Sequence, residues 1–371
     1  MESAKMKIAF AVTLGEQGGV QQFLVGFALH LKQLGHEATI ISGDGTWLQD
    51  RCKALEIPYI KLKLMGREIS AKRDIPAILE LRDVLKKLRP DAIHLNSAKM
   101  GALGSVAAHL ARISQVTYRI GGWTFREELP ATKKWLYRSI EKTTAKYKDV
   151  IICVHPGDEV IAREVGIKPF KRIVSVPNGI DLDRFDAALK PRFKLQASRF
   201  TFGTVANFYP PKDLPRYLEA CKIVHSIEPN TTFLILGDGA QRGEIEAKRK
   251  ALGLEQAVQL PGARDDASTI LQDFDAFVLP SSKEGMAFAL LEAMAARLPC
   301  IATDVGAAKW MLADGGVIVP AMNPVALAEA MLRVMRDDNL RSELSQKARL
   351  QVEARFPLSK TYEGNISALF D

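Results

Sequence analysis

PSSKEGMAFALLEAMAARLPCIATDVG (Pro280–Gly306) is the stretch from which the rest of the chain is read. The run DFDAFVLP (273–280) leading into it is apolar, stops at Pro280, and has the pattern of a buried parallel strand. Ser281–Gly285 is turn chemistry. Ala287–Arg297 is rich in Ala, Leu and Met, all strong helix formers. Leu298-Pro299 and CIAT then start the next strand. The stretch predicts strand, turn, helix, strand, the unit of a parallel α/β sheet.

Glu284 sits on the turn, and Glu292 lies about a turn and a half into the helix by the 3.6-residue period. Helical side chains lean towards the N-terminus, so Glu292 is expected to reach back towards Glu284. Between them lie the free amides of the helix start, which favour an anion, phosphate above all. A carboxylate does not bind phosphate, so its partners are hydroxyls. Hydroxyls on both sides of a phosphate describe a nucleotide sugar, ribose on one side and hexose on the other. The same residues also suit any α/β protein, since acids near a helix start complement its dipole. On these residues alone both readings stand.

EGMAFALLE resembles the E-x7-E motif of retaining glycosyltransferases of the GT-B fold, in family 4 (glycosyl transferases group 1). GEQGGVQQFLVGFALHLKQLGHEATII (15–41), PNGIDLDRF (177–185), ILGDGAQRGEIE (235–246) and PGARDDASTIL (261–271) are similar to further stretches of that family, in the same order. The resemblance covers nearly the whole chain. It implies two Rossmann-like domains facing each other across a cleft that holds the active site.

Length and composition agree with two domains. The chain has 371 residues, 47% of them hydrophobic and 25% charged, room for two cores without staples. Cys52, Cys153, Cys221 and Cys300 are far apart and read as free buried thiols of a reducing cytosol. The first apolar run, Ile8–Leu14, is far short of the ~20 residues a membrane span needs. Net charge is +8, unevenly placed: residues 1–185 carry 29 Lys+Arg against 20 Asp+Glu, residues 186–371 carry 22 against 23. A basic first half suits an anionic surface or substrate. No nucleic-acid motif accompanies it, so anionic lipid or a phosphate-bearing acceptor is the expected partner. The location expected is cytoplasmic, peripheral on the inner face of a bacterial-type membrane.

Strand and helix signals alternate throughout. Strands are expected at 7–13, 37–42, 59–63, 91–95, 115–120, 150–154 and 172–176, then at 200–206, 232–236, 257–260, 276–279, 300–303 and 317–319. The domains predicted are 1–185, a polar linker at 186–198, 199–355, and a tail at 356–371 that the resemblance returns to the first domain. In Ala131–Lys148, Lys134, Arg138, Lys142 and Lys146 recur every four residues beside Trp135, Leu136 and Ile140. This is either a solvated face or a face for anionic headgroups. Lys61, Lys63, Arg67, Lys72 and Arg73 form a second basic cluster. GEQGG is not the dinucleotide fingerprint G-x-G-x-x-G, which argues against an oxidoreductase.

The departing diphosphate gains charge and needs a cation or amide dipoles. Lys212 is the candidate cation. The resemblance implies that Glu284 holds hexose hydroxyls and Glu292 ribose hydroxyls. It implies that Gly285, Met286, Ala287 and Phe288 offer backbone amides, that Arg264 seats the base, and that Gly18 and Gly19 let backbone approach the diphosphate. Asn207 stands where the family usually has an Arg, and Gly121 where it commonly has a His that touches the sugar. Arg119 and His155 are candidates for that empty place. Asp181-x-Asp183 and Asp273-x-Asp275 match a metal pattern, yet both have structural readings, and no metal is expected. The function expected is transfer of a hexose from a nucleotide sugar, UDP-linked, to a glycan or lipid-linked acceptor in cell-surface polysaccharide or lipopolysaccharide synthesis. The alternatives are a non-catalytic nucleotide-sugar or glycan-binding member of the same fold, and a UDP-sugar 2-epimerase.

Overall fold

The computed structural model describes residues 5–188, 199–264 and 267–370. Its strands form two separate sheets, parallel throughout. The chain divides into one unit up to Pro177, rejoined from Tyr362 on, and a second from Asn178 to Thr361.

The first unit contains β1 (Lys7–Val12), β2 (Glu37–Ser42), β3 (Tyr59–Lys61), β4 (Ala92–Asn96), β5 (Gln115–Ile120), β6 (Val150–Cys153) and β7 (Arg172–Ser175). Their order in the sheet is β3-β2-β1-β4-β5-β6-β7. Parallel neighbours need crossovers, and these are α1 (Gly19–Gln33), α2 (Trp47–Ala54), α3 (Ala71–Leu88), α4 (Ala98–Ala111), α5 (Ala131–Ala145) and α6 (Pro156–Glu164). β4, β5 and β6 are buried at every position, as a sheet covered on both faces requires.

One charged pair is folded into this core. Lys148 Nζ lies 3.0 Å from Glu141 Oε2, and the Tyr118 hydroxyl donates to Glu141 Oε1 at 3.2 Å. Lys148 is fully buried, so the pair holds only because each charge and its spare hydrogen-bonding capacity are met.

The last helix, α15 (Leu358–Phe370), begins in the second unit and ends in the first. On the first unit, Tyr362 stacks on Phe27 and His30 at 5.2 and 4.7 Å between ring centres. The Ala368 carbonyl accepts from Gln115 and Thr117. His94 Nε2 meets Asn365 Oδ1 at 3.0 Å, and its Nδ1 meets the Asn96 amide at 2.9 Å. Burial pushes the His94 imidazole down to about 3, so it is neutral, with Nε2 donating and Nδ1 accepting.

The second unit contains β8 (Phe200–Val205), β9 (Thr231–Leu236), β10 (Val258–Gly262), β11 (Ala276–Leu279), β12 (Cys300–Thr303) and β13 (Gly316–Val319). Their order is β10-β9-β8-β11-β12-β13. Around them lie α7 (Leu182–Ala188), α8 (Leu214–Ile227), α9 (Arg242–Ala251), α10 (Ala267–Ile270), α11 (Phe288–Ala295), α12 (Ala308–Leu312), α13 (Pro324–Arg336) and α14 (Asp338–Arg355). Pro261 lies within β10, an edge strand, where a missing amide does least harm.

Two boundaries differ from the sequence expectation. Residues 178–185 belong to the second unit, and 182–188 are helical, so that 186–188 are not part of a linker. The reason is side-chain anchoring: the Asn178 amide donates to the Met286 carbonyl at 2.8 Å, and Arg349 donates to the Asp186 carboxylate at 2.7 Å. The remainder of the expected linker, 189–198, lies outside the described residues. Phe356–Thr361 also stay with the second unit, where Ile180 exchanges backbone hydrogen bonds with Phe356 and Leu358.

In both sheets the chain winds to one side and then to the other, from β1 and β4 in the first and from β8 and β11 in the second. Diverging loops leave a crevice at the carboxyl ends of such a strand pair.

Candidate functional site

At the β8–β11 switch point of the second unit, two loops are laced together. Ser282 N and Lys283 N both donate to the Pro211 carbonyl, at 2.9 and 3.3 Å. This lacing sets Lys212, just after the first loop's proline pair, beside Glu284. Lys212 Nζ lies 2.6 Å from Glu284 Oε1. The Ser281 hydroxyl donates to the same oxygen at 2.7 Å. Neither contact uses Oε2, which has no partner among the described residues. The Glu284 side chain is 10% exposed and that of Lys212 27%, so the pair is largely covered yet reached by solvent.

The next strand supports this loop from behind. Thr303 Oγ1 donates to the Ser281 carbonyl at 2.6 Å, and Ala307 N donates to the Gly285 carbonyl at 2.8 Å. Gly306 has φ +52, and a Cβ there would lie 2.4 Å from the carbonyl oxygens of both Glu284 and Gly285. Only glycine allows this approach.

α11 starts at Phe288, with Ala287 as its extended N-cap and no side chain capping its free amides. Met286 is buried, held through its carbonyl and sulfur by Asn178. Glu292 is partly buried in the second turn of α11. Burial pushes its carboxyl up to about 7, against the pull of the Arg184 guanidinium. The cation nearest in effect is therefore Arg184 on α7, a residue that the sequence expectation places in the first domain.

The switch point thus gathers Lys212, Ser281, Glu284, Gly285, Met286, Ala287, Phe288 and Glu292, with Asn207 following β8. Arg264 is exposed beyond β10, the edge strand. Gly18 and Gly19 lie in the first unit, where Gly18 precedes α1 in extended conformation and Gly19 opens it. Ser281 and Asn178 are the residues that sequence reasoning missed. The serine three positions before Glu284 was a usable signal, although S-x-x-E ordinarily marks a helix cap. The reach of Asn178 to Met286, across more than a hundred positions, left no mark in the sequence.

The other candidates take structural places. Arg119 is buried with its guanidinium 4.3 Å from the Phe23 ring centre, and His155 caps α6 by accepting from Gly157 N at 3.2 Å. A Cβ on Gly121 would meet nothing within 4 Å, so the place of the family's histidine is open. Asp181 accepts from Arg184 N at 3.4 Å, at the start of α7, and Asp275 accepts from Thr201 N at 2.9 Å. Among the described residues, no three or more His, Cys, Asp or Glu side chains are grouped to hold a metal ion. On α5, Trp135 is 69% and Leu136 46% exposed; Arg138, Lys142 and, just past its end, Lys146 are exposed as well. Among the described residues no helix is long and apolar enough to cross a membrane.

Two doubly wound parallel sheets in one chain, each with its own switch point, are the architecture of the GT-B fold. The comparisons agree. The Glycosyltransferase Family 4 profile matches residues 17–184, and the Glycosyl transferases group 1 profile matches 187–351. A UDP-Gal:alpha-D-GlcNAc-diphosphoundecaprenol alpha-1,3-galactosyltransferase of Escherichia coli is 30% identical over 326 residues, covering 85% of this chain and 82% of the relative. The lipopolysaccharide core biosynthesis glycosyltransferase LpsE of Rhizobium meliloti is 25% identical, covering 92% and 93%. Among solved structures, Anabaena Alr3699/HepE in complex with UDP and glucose superposes with TM-score 0.81 at 18% identity, over 98% of each chain. WaaG, a glycosyltransferase involved in lipopolysaccharide biosynthesis, superposes with TM-score 0.76 at 18% identity, over 98% of this chain and 99% of that one. The chain belongs to glycosyltransferase family 4, with the GT-B fold. Its relatives are transferases, which does not favour the epimerase reading.

Proposed function

We propose that the protein is a configuration-retaining hexosyltransferase. It would move a hexose from a UDP-sugar to a glycan or lipid-linked acceptor in cell-surface polysaccharide or lipopolysaccharide synthesis. The observation that carries this is the Lys212–Glu284 pair at the β8–β11 switch point, beside the free amides of α11. Lys212 and those amides face the charge that grows on the departing diphosphate. Glu284 accepts hydrogen bonds from hexose hydroxyls, and Glu292 from ribose hydroxyls. The bond from the anomeric carbon to the diphosphate breaks, and the bond to the acceptor oxygen forms on the same face. The acceptor's hydroxyl proton passes to a diphosphate oxygen. With Lys212 and the helix start available, the step needs no metal. The 30% identical relative supports UDP-galactose and a GlcNAc-diphosphate lipid as the first pair to test. The basic, Trp-bearing face of α5 supports docking on an anionic membrane surface, which would bring the enzyme to such an acceptor.

The test is calorimetric titration of UDP, GDP and ADP in chelator. Assay of UDP-galactose and UDP-glucose with a short-chain GlcNAc-diphosphate lipid follows, with the product anomer read by NMR. Selective UDP binding and an α product are expected. An inverted product refutes the retaining mechanism, and activity that vanishes in chelator and returns with a divalent ion refutes metal independence. Nucleotide binding without transfer to any acceptor favours a non-catalytic member, the reading that the open place at Gly121 and the uncharged Asn207 support.

A further inference from the structure

Glu284 is held by one oxygen and offers the other. Oε1 takes two short contacts, from Lys212 Nζ at 2.6 Å and from Ser281 Oγ at 2.7 Å, while Oε2 takes none among the described residues. Two donors on one oxygen hold the plane of a carboxylate, since turning it part-way would break both contacts at once. The two donors differ in what a substrate does to them. Lys212 is a flexible, partly exposed cation, which a diphosphate draws towards itself. Ser281 is 1% exposed, on a loop whose carbonyl is pinned by Thr303 at 2.6 Å. When the diphosphate claims Lys212, Ser281 is the contact that remains.

We infer that Ser281 is a positioning residue for donor recognition: its hydroxyl keeps Oε1 of Glu284 occupied, so that Oε2 faces outward to receive a hexose hydroxyl. Ser281 itself touches no substrate in this scheme. Its effect falls on the sugar half of the donor and spares the nucleotide half, so it sets how far the site prefers a nucleotide sugar to the bare nucleoside diphosphate. That preference also bears on turnover, because the product diphosphate must leave once the sugar is gone. The inference rests on the donor-site assignment proposed above.

The test compares calorimetric affinities of the full chain for UDP, UDP-glucose and UDP-galactose, for wild type and Ser281→Ala. Wild type should bind its nucleotide sugar more tightly than UDP. Ser281→Ala should keep its UDP affinity within about twofold and lose at least tenfold in nucleotide-sugar affinity, about 1.4 kcal/mol. Ser281→Cys, close in volume but a weak donor, carries the same expectation should the alanine variant not fold. The proposal is overturned if the variant retains the full sugar preference. It is equally overturned if UDP and nucleotide-sugar affinity fall together, which marks a merely structural serine. Wild type that binds UDP with no gain from the sugar overturns it too, leaving the nucleotide site standing. Wild type that binds none of the three overturns the donor-site assignment itself.

Discussion

Replacing Glu292 by Gln should stabilise the second unit in alkali and do nothing for it in acid. Burial lifts the Glu292 carboxyl from the ordinary 4.5 to about 7. Between those values the folded chain keeps a proton that the unfolded chain has released. The resulting stability is complete below pH 4.5 and is lost as pH rises through 7. At about 1.36 kcal/mol per pH unit, the rise bounds the loss at about 3.4 kcal/mol. Glu292 retains some solvent access, so roughly half, ~1.5–2 kcal/mol, is the expected size. Glu292→Gln keeps the shape and carries no charge. It should match wild type at pH 5 and exceed it by that amount at pH 8.5. Native-state hydrogen exchange on peptides spanning β11 and β12 reads the second unit by itself, without assuming that the whole chain unfolds in one step. An equal difference between the two proteins at both pH values would refute the reasoning, because it would mean that the carboxyl ionises as freely in the fold as in the open chain.

Gly306→Ala should destabilise the second unit by about 2–4 kcal/mol and cut transfer at least a hundredfold. The new methyl group meets two carbonyl oxygens at 2.4 Å from a backbone at φ +52. Melting and turnover like wild type would show that the loop carrying Glu284 yields at no cost. A variant with Trp135→Ser, Arg138→Glu and Lys142→Glu should lose more than tenfold in co-sedimentation with phosphatidylglycerol vesicles, given about 1 kcal/mol per basic residue near an anionic surface. Unchanged sedimentation, or equal binding to phosphatidylcholine, would remove α5 from the docking face.

Much of the architecture was legible because it is local or periodic. β11 and β12 fall where their apolar runs predict. A parallel strand covered on both faces is mostly apolar, and its crossover helix is amphipathic, so both leave marks that run along the chain. Glu284 and Glu292 stand out in the sequence for a related reason: a turn before a helix start is a short-range device, and nine residues contain all of it.

Contacts between residues distant in sequence decided the rest. Asn178 reaching Met286, and Arg184 beside Glu292, turned an apparent domain end into part of the second unit. His94 meeting Asn365 and Tyr362 stacking on Phe27 tied the tail to the first sheet, which only the family resemblance had suggested. Arg119 and His155, candidates for an empty place in the site, proved to be packed and capping residues. A side chain's type limits which partners it can take, but whether Lys212 and Ser281 grip one oxygen of Glu284 or two is settled by where Pro211 and Thr303 hold the two loops. Local patterns along the chain were enough for most of the elements and for the kinds of chemistry available. That both donors meet the same oxygen of Glu284 could come only from packing, because it depends on how two loops about seventy residues apart are held against each other.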